Sequence, residues 1–111
     1  MNEYAPDKWV VVKIEGGKFP LTYKVFACWY GGYLGSNSWK MNSGIRVASK
    51  GRDSYLFEGF SGSIYKCFEG NYGTHMYGHG VLEDIIKRSK EAGVDVTILP
   101  QETDWTKLTY V

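Results

Sequence analysis

Residues 9–30, WVVVKIEGGKFPLTYKVFACWY, decide the fold because they contain two strand-like runs separated by a glycine turn. The first run, residues 9–14, holds three consecutive valines, and β-branched residues favour strands. The second run, residues 21–30, alternates between a wholly apolar or aromatic set and a mixed set, which is the period of a strand. We therefore predict a β-hairpin whose second strand turns one face towards the core. That face carries Leu21, Tyr23, Val25, Ala27 and Trp29.

Further strands and one helix follow this hairpin. The short break at Ser61-Gly62 predicts a second hairpin between its flanking runs. An apolar stripe with helical spacing, followed by Gly93, predicts one amphipathic helix over about residues 79–92. The predicted strands after the first hairpin are residues 45–49, 55–60, 63–68 and 94–98, with a short edge strand at 107–110.

The order of these elements determines the predicted fold class. Only one helix links two strands, so most strand pairs must be antiparallel. We predict an α+β fold: a mostly antiparallel, twisted sheet of five to seven short strands, with the helix packed on one face. The length of 111 residues suits one domain over residues 1–111, with a loose N-terminus at residues 1–7.

Composition and charge exclude several classes of protein. A net charge of +1 argues against general nucleic-acid binding. No apolar run approaches the roughly 20 residues that span a bilayer, and the N-terminus lacks the pattern of a signal peptide. Two cysteines, Cys28 and Cys67, are too few for a disulfide framework, so we expect buried, reduced thiols and a cytoplasmic setting.

Two irregular segments, residues 31–44 and 69–80, are rich in glycine and aromatic residues. Long ordered loops in compact domains are often functional. Aromatic rings can stack on a base, and nearby cationic or amide side chains can hold phosphate or ribose. If the domain has a site, we expect it where these two segments meet the sheet. The predicted ligand-binding residues are Tyr30, Tyr33, Trp39, Lys40, Asn42, Arg46, His75, Tyr77 and His79.

The two histidines leave an alternative open. His75 and His79 are four residues apart, so on a helix their rings would share a face and could move protons. Gly78 and Gly80 argue against a helix there, and no third histidine completes a metal site. We predict no metal, no cofactor and no catalytic residue, with catalysis by His75 and His79 as the alternative. Residues 31–36 lack the lysine of a phosphate-binding P-loop.

Three stretches carry a resemblance to a known group of proteins. Residues 23–45 (YKVFACWYGGYLGSNSWKMNSGI), 55–73 (YLFEGFSGSIYKCFEGNYG) and 81–100 (VLEDIIKRSKEAGVDVTILP) resemble a family of small uncharacterised proteins of tailed bacteriophages. The likeness covers residues 8–110 and implies an accessory protein that acts in the cytoplasm of the infected host. Many such proteins counter host defence, and one class sequesters cyclic dinucleotides or ADP-ribose derivatives. The resemblance assigns no role to any residue.

The leading functional hypothesis combines this resemblance with the aromatic segments and the missing catalytic set. It is a phage counter-defence protein that binds and sequesters a small nucleotide-like signal, cyclic or derived from ADP-ribose. One alternative is an inhibitor that binds a host defence enzyme, and another is a phosphodiesterase that uses the paired histidines. The expected partner is a small nucleotide-like ligand, with no membrane and no general nucleic-acid binding. Homo-oligomer formation stays open.

Overall fold

The computed structural model describes residues 2–31 and 36–110. Within those ranges the chain forms eight strands and one α-helix. The elements, in chain order, are β1 (Glu3–Tyr4), β2 (Lys8–Gly16), β3 (Phe19–Trp29), β4 (Ser38–Met41), β5 (Ile45–Lys50), β6 (Ser54–Gly59), β7 (Ile64–Phe68), α1 (Met76–Glu91) and β8 (Val94–Ile98).

The strands form two four-stranded sheets rather than the single sheet that we predicted. The first sheet has the order β1-β7-β6-β5 and the second has the order β4-β3-β2-β8. Every pair is antiparallel except β1 with β7. The α+β class and the dominance of antiparallel pairing are therefore confirmed, as are both hairpins, β2–β3 and β6–β7.

The two sheets and helix α1 form three layers. One buried cluster, which includes Trp9, Val25 and Phe57, lies between the sheets. A second cluster, which includes Phe26 and Leu82, lies between the second sheet and α1. The second sheet is thus the middle layer, and the hydrophobic effect drives burial of both of its faces.

This middle position corrects the prediction for β3. We assigned only the face of Val25 to the core, but Phe26 and Cys28 on the opposite face are also buried, because α1 covers them. Leu21 was predicted to face the core and is instead exposed, since it lies near the outer end of the β2–β3 hairpin.

Helix α1 begins earlier than predicted. It starts at Met76 rather than near residue 79, so Gly78 and Gly80 both lie within it. Glycine is unfavourable inside a helix, but Gly78 is buried against β3, and this tertiary packing outweighs the low propensity. The helix has 16 residues, and among the described residues no helix is long and apolar enough to cross a membrane.

Both ends of the chain differ from expectation. The segment predicted as a loose N-terminus contains β1, where Tyr4 packs against Tyr65 with ring centroids 5.1 Å apart. Residues 107–110, predicted as an edge strand, form none in the structure. The C-terminal segment is instead held by Trp105, which is buried between the sheets, and by Tyr110, whose hydroxyl donates to the Trp105 carbonyl.

The two cysteines agree with the sequence prediction. Cys28 and Cys67 are both free and buried. Burial raises the pKa of each thiol above its ordinary value, so neither is a thiolate at neutral pH. They belong to different core clusters, Cys67 between the sheets and Cys28 beneath α1.

Candidate functional site

The two irregular segments meet at one edge of the second sheet. Part of the first segment is strand β4, which pairs with the end of β3 and places Trp39 beside Cys28. Part of the second segment is the first turn of α1, where Gly78 lies over the same residue. A Cβ atom on Gly78 would lie only 2.6 Å from the Cys28 sulfur, so this approach requires glycine. We call Cys28, Tyr30, Trp39, His75 and Gly78 the helix-start site.

Tyr30 connects β3 to the start of the helix. Its hydroxyl accepts a hydrogen bond of 2.9 Å from the backbone N–H of His75, and the two rings stack with centroids 4.8 Å apart. Its backbone N–H donates to the Asp7 carboxylate at 2.8 Å. Burial is the main cause that raises the pKa of the Tyr30 hydroxyl, so it remains a neutral hydrogen-bonding group at physiological pH.

Trp39 is the exposed aromatic side chain of this site. Its ring stacks on Phe26 with centroids 5.6 Å apart and an interplanar angle of 26°. The side chain is nevertheless 41% exposed, because β4 is an edge strand of the second sheet. An indole that is fixed on one side and open to solvent is a suitable surface for stacking a base.

The first turn of α1 gives the site a positive electrostatic character. The first N–H groups of a helix have no partner within the helix and carry a partial positive charge. His75 precedes the helix and makes no capping hydrogen bond through its side chain within the described structure. The turn contains no acidic residue, and Tyr77 there is half-buried. Such a terminus attracts anions.

The histidines do not share a contact. The ring of His75 stacks on Tyr30, whereas Nε2 of His79 lies 3.7 Å from the Glu83 carboxylate one turn further along the helix. Both side chains are exposed. Among residues 2–31 and 36–110, no group of three or more histidine, cysteine or acidic side chains is arranged to hold a metal.

The remaining predicted residues lie apart from the helix-start site. The ammonium of Lys40 is 5.2 Å from the centre of the Tyr4 ring, on the face of β4 opposite to Trp39. Arg46 forms an ion pair with Glu58 on the outer face of the first sheet. Tyr33 lies outside the described residues.

Asn42 has a structural position where the chain leaves β4 for the first sheet. Its Oδ1 accepts hydrogen bonds from the backbone N–H groups of Val25 and Gly44, at 2.9 and 3.3 Å. The side chain is buried, and its Nδ2 has no hydrogen-bond partner in the described part of the chain. Asn42 thus shapes the turn between the sheets and presents no group to solvent.

The structure also contains cavities that the sequence did not predict. They lie where the C-terminal segment passes Tyr55, and we call them together the tail cleft. The inner cavity has a volume of about 70 Å³ and the outer one about 410 Å³. The only signal in the sequence was Trp105 within the otherwise polar residues 101–107. Residues that line the tail cleft include Trp9, Lys50, Tyr55, Glu69, Tyr72, Glu102, Asp104 and Trp105.

Comparisons with known proteins add no relative. No protein-family model, curated protein or solved structure matches this chain. The likeness to tailed-phage proteins therefore stays a prediction from the sequence.

Proposed function

We propose that the protein binds and sequesters a small nucleotide-like signal at the helix-start site. The observation that carries this proposal is the juxtaposition of an exposed indole, Trp39, with the uncapped first turn of α1. A nucleotide combines a flat base with an anionic phosphate, and these two features complement a stacking surface and a helix N-terminus. Both flank the same residue of β3, Cys28, so one small molecule can reach both.

Sequestration fits this site better than turnover. The imidazoles of His75 and His79 contact different partners, Tyr30 and Glu83, so they do not act on a common atom in this arrangement. The neutral hydroxyl of Tyr30 and thiol of Cys28 are weak nucleophiles at physiological pH because burial raises both pKa values. We place the protein in the cytoplasm of a phage-infected bacterium, as the resemblance implies.

Calorimetry with a panel of cyclic dinucleotides, cyclic mononucleotides and ADP-ribose derivatives tests the proposal. We expect one panel member to bind at micromolar concentration without being cleaved, as judged by chromatography of the recovered ligand. Trp39→Ala should lower its affinity by about 10- to 100-fold, since stacking contributes about 1–3 kcal/mol per base.

The matched control is Phe60→Ala, which removes another exposed aromatic ring from a turn of the first sheet. This variant should bind the nucleotide as the unaltered chain does. Absence of micromolar binding across the whole panel would contradict the proposal, and so would an equal loss of affinity in both variants.

A second candidate function is inhibition of a host defence enzyme by direct contact. The observation in its favour is the outer face of the first sheet, where Val47 on the edge strand β5 and Leu56 on the neighbouring strand β6 are exposed. Apolar side chains beside an open strand edge are typical of protein interfaces. A pull-down from host lysate with Val47→Asp as the control variant distinguishes the two functions, because sequestration of a nucleotide needs no protein partner.

A further inference from the structure

The inner end of the tail cleft is walled by aromatic rings. The Trp9 and Tyr72 rings meet edge to face with centroids 4.7 Å apart, and the Tyr72 and Trp105 rings stack at 5.6 Å. Tyr55 lines both the inner and the outer cavity, so its ring connects the two. Aromatic faces are electron-rich and attract cations that lie over them.

The charged residues around the cleft are mostly acidic. One lysine, Lys50, lines it together with the carboxylates of Glu69, Glu102 and Asp104. Hydrogen bonds from Thr106 lower the pKa of Asp104, so this carboxylate is ionised at neutral pH. Lys50 and Glu69 neutralise each other, and the Lys107 ammonium lies 3.8 Å from the Asp104 carboxylate, so Glu102 carries the net negative charge at the mouth.

Lys50 shows how the cleft holds an alkylammonium group. Its ammonium lies 5.2 Å from the centre of the Tyr55 ring, forms an ion pair with Glu69, and donates a hydrogen bond of 2.7 Å to the Gly51 carbonyl. A ring face, a carboxylate and a carbonyl are all groups that attract an organic cation. The side chain of the protein itself thus occupies the position of such a ligand.

We propose that the tail cleft binds a small organic cation, an alkylammonium whose charged end lies over Tyr55 and beside Glu69. The outer cavity of about 410 Å³ lies within the volume range of small-molecule sites. This volume is larger than the ammonium group of one lysine fills. In this arrangement Lys50 competes with the ligand for the same ring and carboxylate. The site is separate from the helix-start site and does not depend on nucleotide binding there.

Three small probes test whether the tail cleft prefers a positively charged ligand. The probes are n-butylammonium, 1-butanol and butyrate, which share an alkyl chain and differ in charge. The readout is the NMR shift of the Tyr55 ring and the Trp105 indole N–H during titration. We expect n-butylammonium to bind with a dissociation constant on the order of 1 mM, as suits so small a probe, and the other two to bind at least about tenfold more weakly.

Variants locate the cation. Lys50→Met frees the ring and the carboxylate and should tighten n-butylammonium binding by about three- to tenfold, whereas Glu69→Gln should weaken it by a similar factor. Lys66→Met is the matched control, because the Lys66 ammonium lies 5.3 Å from the Phe68 ring, outside the cleft. Lys66→Met should leave the affinity for n-butylammonium unchanged, and so should Trp39→Ala.

Two outcomes would overturn the proposal. If Lys50→Met weakens the binding of n-butylammonium or leaves it unchanged, the cation does not take the position of the lysine. If 1-butanol or butyrate shifts the Tyr55 and Trp105 signals as strongly as n-butylammonium, the cleft does not recognise positive charge. Circular dichroism of each variant shows that the fold is retained, which is expected because none of the four altered side chains is buried.

Discussion

The tail cleft and the helix-start site both use aromatic side chains, but they hold them in opposite ways. In the tail cleft Trp105 is 1% exposed and packs against Trp9, Phe57 and Tyr72. In the helix-start site Trp39 is 41% exposed and stacks on one residue, Phe26. The first tryptophan is part of the core that joins the two sheets, whereas the second lies on an edge strand where it can meet a ligand.

The two regions also differ in electrostatic sign. Carboxylates of Glu69, Glu102 and Asp104 line the tail cleft, whereas the first turn of α1 contains no acidic residue and carries the partial positive charge of a helix N-terminus. The formal net charge of +1 conceals this difference, because it averages an acidic region with a positive one. Charge therefore has to be assigned to places on the surface before it says anything about ligands.

The largest expected effect compares the two tryptophans. Trp105→Ala should lower the free energy of unfolding by about 3–5 kcal/mol, because it empties a buried volume between the sheets. Trp39→Ala should lower it by less, about 1 kcal/mol, since Trp39 lies on an edge strand and is already 41% exposed. Urea unfolding followed by circular dichroism measures both. Equal losses in the two variants would show that Trp39 belongs to the core and would remove the contrast.

A smaller effect tests how tightly the helix start is packed. Gly78→Ala should destabilise the fold by about 1–3 kcal/mol, because the new Cβ would meet the Cys28 sulfur at 2.6 Å and the Tyr30 hydroxyl at 2.9 Å. Gly80→Ala is the control within the same helix, since its Cβ would meet no described atom within 4 Å. It should stabilise the helix by about 0.5–1 kcal/mol. If both substitutions shifted the melting temperature in the same direction, this packing at Gly78 would be contradicted.

The smallest effect concerns alkaline pH and Tyr72, the half-buried tyrosine of the tail cleft. Burial raises the pKa of Tyr72 from 10.0 to about 12. The unfolded chain loses this proton first, so the stabilisation is complete below pH 10 and is lost as the pH rises through 12. The loss from this group is at most about 1.4 kcal/mol per pH unit in that window. Urea unfolding at pH 9, 10 and 11 should show a flatter decline in Tyr72→Phe.

Tyr30→Phe provides the comparison for this prediction. Burial also raises the pKa of Tyr30, but this ring lies at a more solvent-accessible position in the helix-start site. Its removal should flatten the alkaline decline less than Tyr72→Phe does. If Tyr30→Phe flattened the decline more than Tyr72→Phe, the Tyr30 hydroxyl would be the less solvent-exposed of the two.

Local patterns predicted much of the fold. The valine run at residues 10–12, the alternation after Leu21 and the short break at Ser61-Gly62 indicate strands and hairpins that the structure contains. The stripe of Leu82, Ile85 and Ile86 indicates the helix. These features depend on residues close in sequence, so periodicity and turn chemistry reveal them.

The predicted site residues do not all lie together in the structure, and the reason is physical. The sequence indicated that the two glycine- and aromatic-rich segments meet the sheet, and the structure brings Tyr30, Trp39 and His75 to one edge. Lys40 and Arg46 are close in sequence but point to other faces, because side chains alternate along a strand and a β-bulge follows Ile45. A list of nearby residues cannot determine which face each one occupies.

By itself, the sequence determined the α+β class, the antiparallel hairpins, the single helix and the two buried thiols, because these follow from local propensity and spacing. Only the tertiary structure decided that the strands divide into two sheets, that β3 is buried on both faces, and that Gly78 lies inside a helix. It also decided that Trp105 fills the space between the sheets and borders a cleft. These outcomes depend on contacts between residues far apart in the chain, whose packing outweighs local preference.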